Sequence, residues 1–412
     1  MFLTKLALKN LIRYRTRTLA VGLIIAFAVF FYILFDALMA GMNEMSYEGI
    51  IDYETGHLQI VNSSYWQEEK KLPLDDLIPL DLLRRIKLEE VQGYRGSSAE
   101  LAFQARLNNG INELPVVGRG VVPEDLLSVF SLADKFVEGE MFSSGEQRVV
   151  MGKRLADLMD VGVGDYVILL VRDKNNTFNT IEAEISGLVH TINHNVNNFL
   201  VYMPLDVAQE ALAVDDVVSK VVVRLDHKEQ APQAAGVLES KLQRLDGDLA
   251  VYKWDDTDAL SFSSYAATEN QIILGIILLI AAIAIINTVI LAALERMREI
   301  GTMKAMGLDV REIVYLFVIE STGIGVLGGC IGLVMGAVGV WYLVRFGVDF
   351  SAMAQLDMTS FGVPVLGKTH GVWNPNAFIT VFAFGVAVSF LSSILPGYWA
   401  AAKDPIQAIQ HR

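Results

Sequence analysis

Residues 362–369 read Gly-Val-Pro-Val-Leu-Gly-Lys-Thr and fill the pattern GxxxxGK[ST], in which a glycine-rich loop and a lysine cradle nucleotide phosphates. That chemistry needs a buried strand before the loop and a helix N-terminus after it, so that backbone N–H groups converge on the anion. Neither flank complies. Met353 to Ser360 is no apolar strand, and His370-Gly371-Val372-Trp373-Asn374-Pro375 cannot start a regular helix. The motif is read as coincidental. His190 and His194 have a metal-compatible spacing, but they lie in an Asn-rich stretch without a neighbouring thiol, so a solvated loop is expected. No nucleophile motif is present either, and the chain is expected to hold no catalytic site, metal or cofactor of its own.

The segment 295–312 carries a different kind of chemistry. Glu295, Arg296, Arg298, Glu299 and Lys304 alternate with apolar residues in the pattern of a short charged helix with its own apolar side, interrupted at Gly301 and Gly307. Rigidly continuous with an apolar run on either side, such a segment can transmit a push from a protein partner. An amphipathic connector at a membrane surface is the plainer reading, and both stay open. Asp36 and Glu320 are the acids inside apolar runs, and a structural role is expected for each over proton relay. Gly325, Gly328, Gly329, Gly332 and Gly336 form linked GxxxG spacings that let a neighbouring backbone approach, either within one subunit or between two.

Four long apolar runs must position these groups. Residues 19–40, 272–294, 313–343 and 377–399 are each long enough to cross a hydrocarbon core of ~30 Å at about 1.5 Å per residue. Five Lys and Arg and no acid precede the first run, which places the N-terminus inside. Residues 41–271 and 344–376 then lie outside, and residues 295–312 and 400–412 inside. The 22-residue first run exceeds a secretory signal core of about 7–15 residues, so it is expected to stay attached. Residues 2–17 read as a basic amphipathic helix, with Lys5, Lys9, Arg13 and Arg17 in one row opposite Leu3, Leu6, Ala7 and Leu11.

Residues 41–271 hold 38 acids against 20 Lys and Arg, which argues against a nucleic-acid partner. With Cys330 the one cysteine, no intrachain disulfide is available. Strands are predicted at 57–61, 101–107, 116–122, 166–171, 181–189, 199–203 and 217–225, and helices at 80–90, 152–159, 205–212 and 230–245. An α+β domain follows, with a β-rich insertion near 126–205 and hairpin turns at Asn108 to Gly110 and Lys174 to Asn179. The absence of proline after the first run, to about Asp52, and of glycine and proline in 257–271 predicts two helices that continue beyond the bilayer as a stalk.

The basic opening from Leu6 to Arg17, the segment Glu295 to Gly307, Glu320 with its following glycines, and the ending Ala400 to Ile409 together resemble the MacB/FtsX-type permeases of ABC transporters. Gly56 to Ile60 and Phe199 to Gln209 are similar to the LolC/LolE lipoprotein-releasing branch of that group. The resemblance implies an inner-membrane permease, as homodimer or heterodimer, docked on two copies of a separate cytoplasmic ATPase that supplies ATP and magnesium. It makes Glu295, Arg296, Arg298, Glu299, Gly301, Lys304, Ala305 and Gly307 the ATPase-coupling residues. It implies lipoprotein or another amphipathic cargo; an FtsX-like subunit that activates a cell-wall hydrolase is the alternative, and a membrane receptor ranks last.

Overall fold

The computed structural model describes residues 2–13, 15–243, 248–257, 259–350, 359 and 367–403. They form two compact units, one of residues 1–43, 266–349 and 368–412 and the other of residues 44–265 and 350–367. The phosphate-loop residues 362–366, the tail around Pro405 and Tyr14 of the basic opening lie outside the described residues.

The first unit is helical. Its helices are α1 (Phe2–Arg13), α2 (Arg15–Ile50), α3 (Ala259–Glu295), α4 (Met297–Ala305), α5 (Val310–Phe346) and α6 (Pro375–Ala402), of which α2 and α3 extend into residues of the second unit. Among the described residues, four helices are long and apolar enough to cross a membrane, as the four apolar runs require. Ala7 and Leu11 of α1 are buried and Lys5, Lys9 and Arg13 exposed, the expected amphipathic split. Val21, Ile25, Val29 and Ile33 of α2 meet Ile285 and Val289 of α3, Phe317 and Ile324 of α5 and Val381 of α6 in one apolar cluster. α6 opens on a proline, whose missing N–H is unneeded at a helix start. Lys368 and Thr369 lie in a two-residue strand paired with Val348–Asp349, not at a helix N-terminus.

The second unit is built on a ten-stranded mixed sheet. Its strands are β1 (Leu58–Asn62), β3 (Tyr94–Asn108), β4 (Glu113–Val121), β5 (Phe136–Gly139), β6 (Arg148–Gly152), β7 (Tyr166–Arg172), β8 (Phe178–Val189), β9 (Leu200–Pro204), β11 (Lys220–Leu225) and β12 (Leu249–Lys253). The order is β12-β1-β11-β3-β4-β9-β6-β8-β5, with β7 bridging β3 and β8; β2 (Ile78–Pro79) and β10 (Val217–Val218) pair separately. Alternation sends Leu58, Ile60, Leu101, Phe103, Met151, Val201 and Val223 to one face, under helices Lys153–Met159, Leu205–Ala211 and Ala231–Leu242. Val121, Val150, Tyr202 and Val222 go to the other, covered by Leu126, Val129 and Phe130.

Several expectations change. The stretch 126–205 is no insertion, because β9 pairs in parallel with β4 and β7 pairs with β3 inside the same sheet. The helix expected over 80–90 ends at Ile86, where Lys87 takes φ +48, and the one expected over 230–245 is Ala231–Leu242. The Asn-rich stretch holds a short helix, His194–Phe199, capped by the Asn193 side chain. Both hairpin turns are present. Asn108 Oδ1 accepts from the N–H of Gly110 at φ +87, and Asp173 accepts from the N–H groups of Asn175 and Thr177.

At the start of β1, His57 is 4% exposed and its Nδ1 accepts the Leu225 N–H at 3.1 Å, a bond available only to the unprotonated nitrogen. Burial, with Arg224, His227 and Lys228 nearby, lowers its pKa from 6.5 to about 4. The unfolded chain therefore binds the extra proton first. The stability tied to neutral His57 should be whole above pH 6.5 and lost as pH falls to about 4, a loss of about 3 kcal/mol. Thermal unfolding across that range should show this slope in the native chain and a flatter one in His57→Gln; parallel curves would refute it.

Candidate functional site

Helix α4 sits between the ends of three long helices. α3 stops at Glu295, and Arg296 alone separates it from α4. Arg296 is 6% exposed, and its guanidinium is spent inward: Nη1 donates to Glu320 of α5, itself 4% exposed, and Nε to Glu299 at 2.8 Å. A buried charge of either sign is costly alone, so each of Arg296 and Glu320 supplies what the other needs. Glu320 is thus paired across 24 residues, and its role in the structure is positional.

Lys304, on the last turn of α4, reaches α6. Its Nζ donates to the carbonyl oxygens of Ala401 at 2.9 Å and Lys403 at 2.8 Å, where the α6 carbonyls lack intrahelical partners and the helix dipole is negative. Beneath these polar ties, Met297 and Ile300 pack with Ile313, Ala400 and Ala401. Gly301 was expected to interrupt this helix and does not. It lies buried inside the unbroken run Met297–Ala305, where one glycine costs only about 1 kcal/mol.

Gly307 does end it. At φ +98 it lets its own N–H reach the Lys304 carbonyl and the Leu308 N–H reach that of Met303, a Schellman turn. Asp309 then starts α5 through a capping box with Glu312. The chain therefore reverses in four residues.

The eight residues assigned to coupling divide by position. Arg296 and Gly301 are buried, Glu299 and Lys304 half-buried, and Glu295, Arg298, Ala305 and Gly307 exposed. Arg298, Thr302 and Met306 follow at four-residue intervals along α4 and its cap, with Ala305 beside Met306, and all four are exposed, Met306 to 74%; Glu295, the last residue of α3, is exposed too. Thr302 and Met306 were missed from sequence, although the four-residue helical period from Arg298 points to both.

The five glycines of α5 face two neighbours in the same chain. A Cβ on Gly328 would lie 2.6 Å from the Gly22 carbonyl oxygen, and one on Gly332 2.7 Å from that of Ala26, both in α2; Gly336 meets Ile33 there. On the other side Gly325 meets Ser389, and Gly329 meets Phe382, both in α6. At the opposite end of these helices, Asn374 Nδ2 donates to Asp36 Oδ2 at 3.0 Å, and the Val372 N–H to the Ala37 carbonyl.

The chain is similar to known proteins along most of its length. A family model described as MacB-like periplasmic core domain matches residues 18–241, and one described as FtsX-like permease C-terminal matches residues 271–405. The lipoprotein-releasing system transmembrane protein LolC of Xylella fastidiosa is 24% identical over 333 residues, 77% of this chain and 78% of that one. The macrolide export ATP-binding/permease protein MacB of Nitrobacter winogradskyi is 26% identical over 277 residues, 65% of this chain and 39% of that one. The crystal structure of the periplasmic region of MacB from Actinobacillus actinomycetemcomitans aligns at a TM-score of 0.35 and 15% identity, covering 50% of this chain and 93% of that one.

Removing one member of the buried pair, by Arg296→Met or Glu320→Leu, should destabilise the detergent-solubilised protein by roughly 3–5 kcal/mol, while the double variant regains most of the loss. Additive losses in thermal unfolding would show the two groups to be uncoupled. Gly332→Leu should destabilise far more than Gly275→Ala, since a Cβ at Gly275 meets nothing within 4 Å. Equal melting shifts would count against the close helix contact.

Proposed function

The chain belongs to the ABC transporter permeases that carry a MacB-like periplasmic core domain, and on that premise we propose that it couples a separate cytoplasmic ATPase to movement of its sheet unit. The observation that carries this reading is the build of α4. Its inner side is tied to α5 by Arg296 and Glu320 and to α6 by Lys304, while Arg298, Thr302, Ala305 and Met306 stand exposed on the other side, next to Glu295 at the end of α3. A load on that side meets a small rigid body, and its displacement passes to three apolar helices at once.

In this proposal that exposed side, the N-terminal basic helix and the C-terminal tail face the cytoplasm, consistent with five cations and no acid in the first 18 residues. The sheet unit is then periplasmic, and α2 and α3, which run unbroken between residues of both units, carry the motion. Two such permeases, identical or not, stand over two ATPase copies. The apolar helices have too few polar groups to line a hydrophilic channel, so the cargo we propose is amphipathic. The LolC relatives make a lipoprotein the favoured case.

Co-expression with candidate small ATPases tests this. Arg298→Glu combined with Met306→Glu should lower co-purification by about tenfold, worth ~1.4 kcal/mol, without shifting the melting temperature. Lipoprotein release should fall in parallel. Recruitment of a cell-wall hydrolase with release unchanged would select the regulatory alternative, and labelling of Arg298 from the periplasmic side would overturn both.

A further inference from the structure

Helix α1 has two opposite sides. Ala7 and Leu11 are buried, and Leu11 fills a notch in α5, where a Cβ on Gly323 would lie 2.9 Å from its Cδ1. Thr4 Oγ1 is 3.5 Å from the Tyr315 hydroxyl, so α1 runs beside α5 between Tyr315 and Gly323. On the side away from α5, Lys5, Lys9 and Arg13 recur every four residues and are exposed, with Ile12, 78% exposed, next to the row.

A second observation sets the level of this contact in the bilayer. Arg296 follows the last residue of α3 and pairs with Glu320, and such a fixed cation marks the edge of the hydrocarbon. Gly323 lies three residues past Glu320, ~4.5 Å along the α5 axis, and Tyr315 five residues before it, ~7.5 Å the other way. α1 therefore spans the headgroup layer, with its Leu11 end nearer the hydrocarbon. The chain supplies this row with little opposite charge. Lys5, Lys9 and Arg15 pair with no carboxylate among the described residues, and the acids of the adjoining α5 turns are engaged, Glu320 by Arg296 and Glu312 by the Asp309 N–H.

We propose that α1 binds anionic phospholipid headgroups through Lys5, Lys9 and Arg13, and that this holds Leu11 in the Gly323 notch. An exposed isoleucine beside cations suits that layer, because acyl chains surround the one while long side chains carry their charged tips to phosphate. A soluble protein would have to enter the headgroups to cover Ile12, whereas lipid is already there. Each cation near an anionic surface adds about fivefold in affinity, so a row of three favours an anionic over a zwitterionic lipid by about a hundredfold. The binding needs no ATPase. Its failure would leave coupling through α4 standing, and failure of that coupling would leave the lipid site standing.

The test uses the full chain, delipidated in detergent and titrated with phosphatidylglycerol or phosphatidylcholine under native mass spectrometry. Phosphatidylglycerol should bind about a hundredfold more tightly, and Lys5→Gln combined with Lys9→Gln and Arg13→Gln should abolish the difference. Removing three other exposed cations, by Arg95→Gln with Arg154→Gln and Lys174→Gln, should preserve it, and both variants should melt like the native chain in phosphatidylcholine nanodiscs. Phosphatidylglycerol with a diazirine at the head of its acyl chain should label Ile12. Inorganic phosphate at constant ionic strength should not compete. Equal binding of the two lipids, a preference retained in the α1 variant, loss of it in the control variant, or displacement by inorganic phosphate would each overturn the assignment. Loss of ATPase co-purification in the α1 variant with lipid preference unchanged would overturn it too and give the row to the ATPase.

Discussion

A guanidinium and a carboxylate buried together at one end of an apolar bundle, Arg296 with Glu320, form the constraint on which the helical unit depends. In surroundings of low dielectric neither charge is tolerable alone, and the pair holds only in a narrow range of positions. That requirement fixes where α3 stops, because Arg296 is the single residue between it and α4. It also sets the register of α5 against α4. Lys304 extends the arrangement to α6 through carbonyls that a helix end leaves open. The short helix is therefore positioned by polar chemistry on its inner side, while Arg298, Thr302, Ala305 and Met306 are exposed on the other.

The sheet unit is organised on another principle. Period-two alternation supplies two apolar layers, one on each face of a sheet in which sequence neighbours are often not spatial neighbours. β1 finds β11 and β12, and β4 finds β9, across more than seventy residues of chain. A row of buried polar residues on one face, Gln59, Lys220, Glu100, Arg119 and Tyr202 on five neighbouring strands, exists only because of that order. No stretch of sequence contains it.

This explains what was legible beforehand. The four apolar runs, both hairpin turns, seven of the strands and the amphipathic start follow from local period and turn chemistry, and the structure keeps them. The strand Phe136–Gly139 was missed because three of its four residues are exposed and have no core to face. Gly301 was misjudged because burial against neighbouring helices outweighs its weak intrinsic helix preference. The segment 295–307 was recognisable from its charges, yet its division into tying and exposed residues was not. Arg296 and Lys304 look as solvent-seeking as Arg298 in one dimension, and only Glu320 and the end of α6 distinguish them.

The glycines of α5 bear on how such a bundle is able to move. Gly328, Gly332 and Gly336 admit the backbone and side chains of α2 on one flank, and Gly325 and Gly329 admit α6 on the other. A rod notched on two sides cannot spin in its bearing without driving side chains into both neighbours. Sliding by a fraction of a turn meets the same obstacle, and the next glycine notch lies four residues away, about 6 Å along the axis. The spacing of these residues thus makes α5 a keyed shaft, disposed to tilt as one piece or to jump by whole turns.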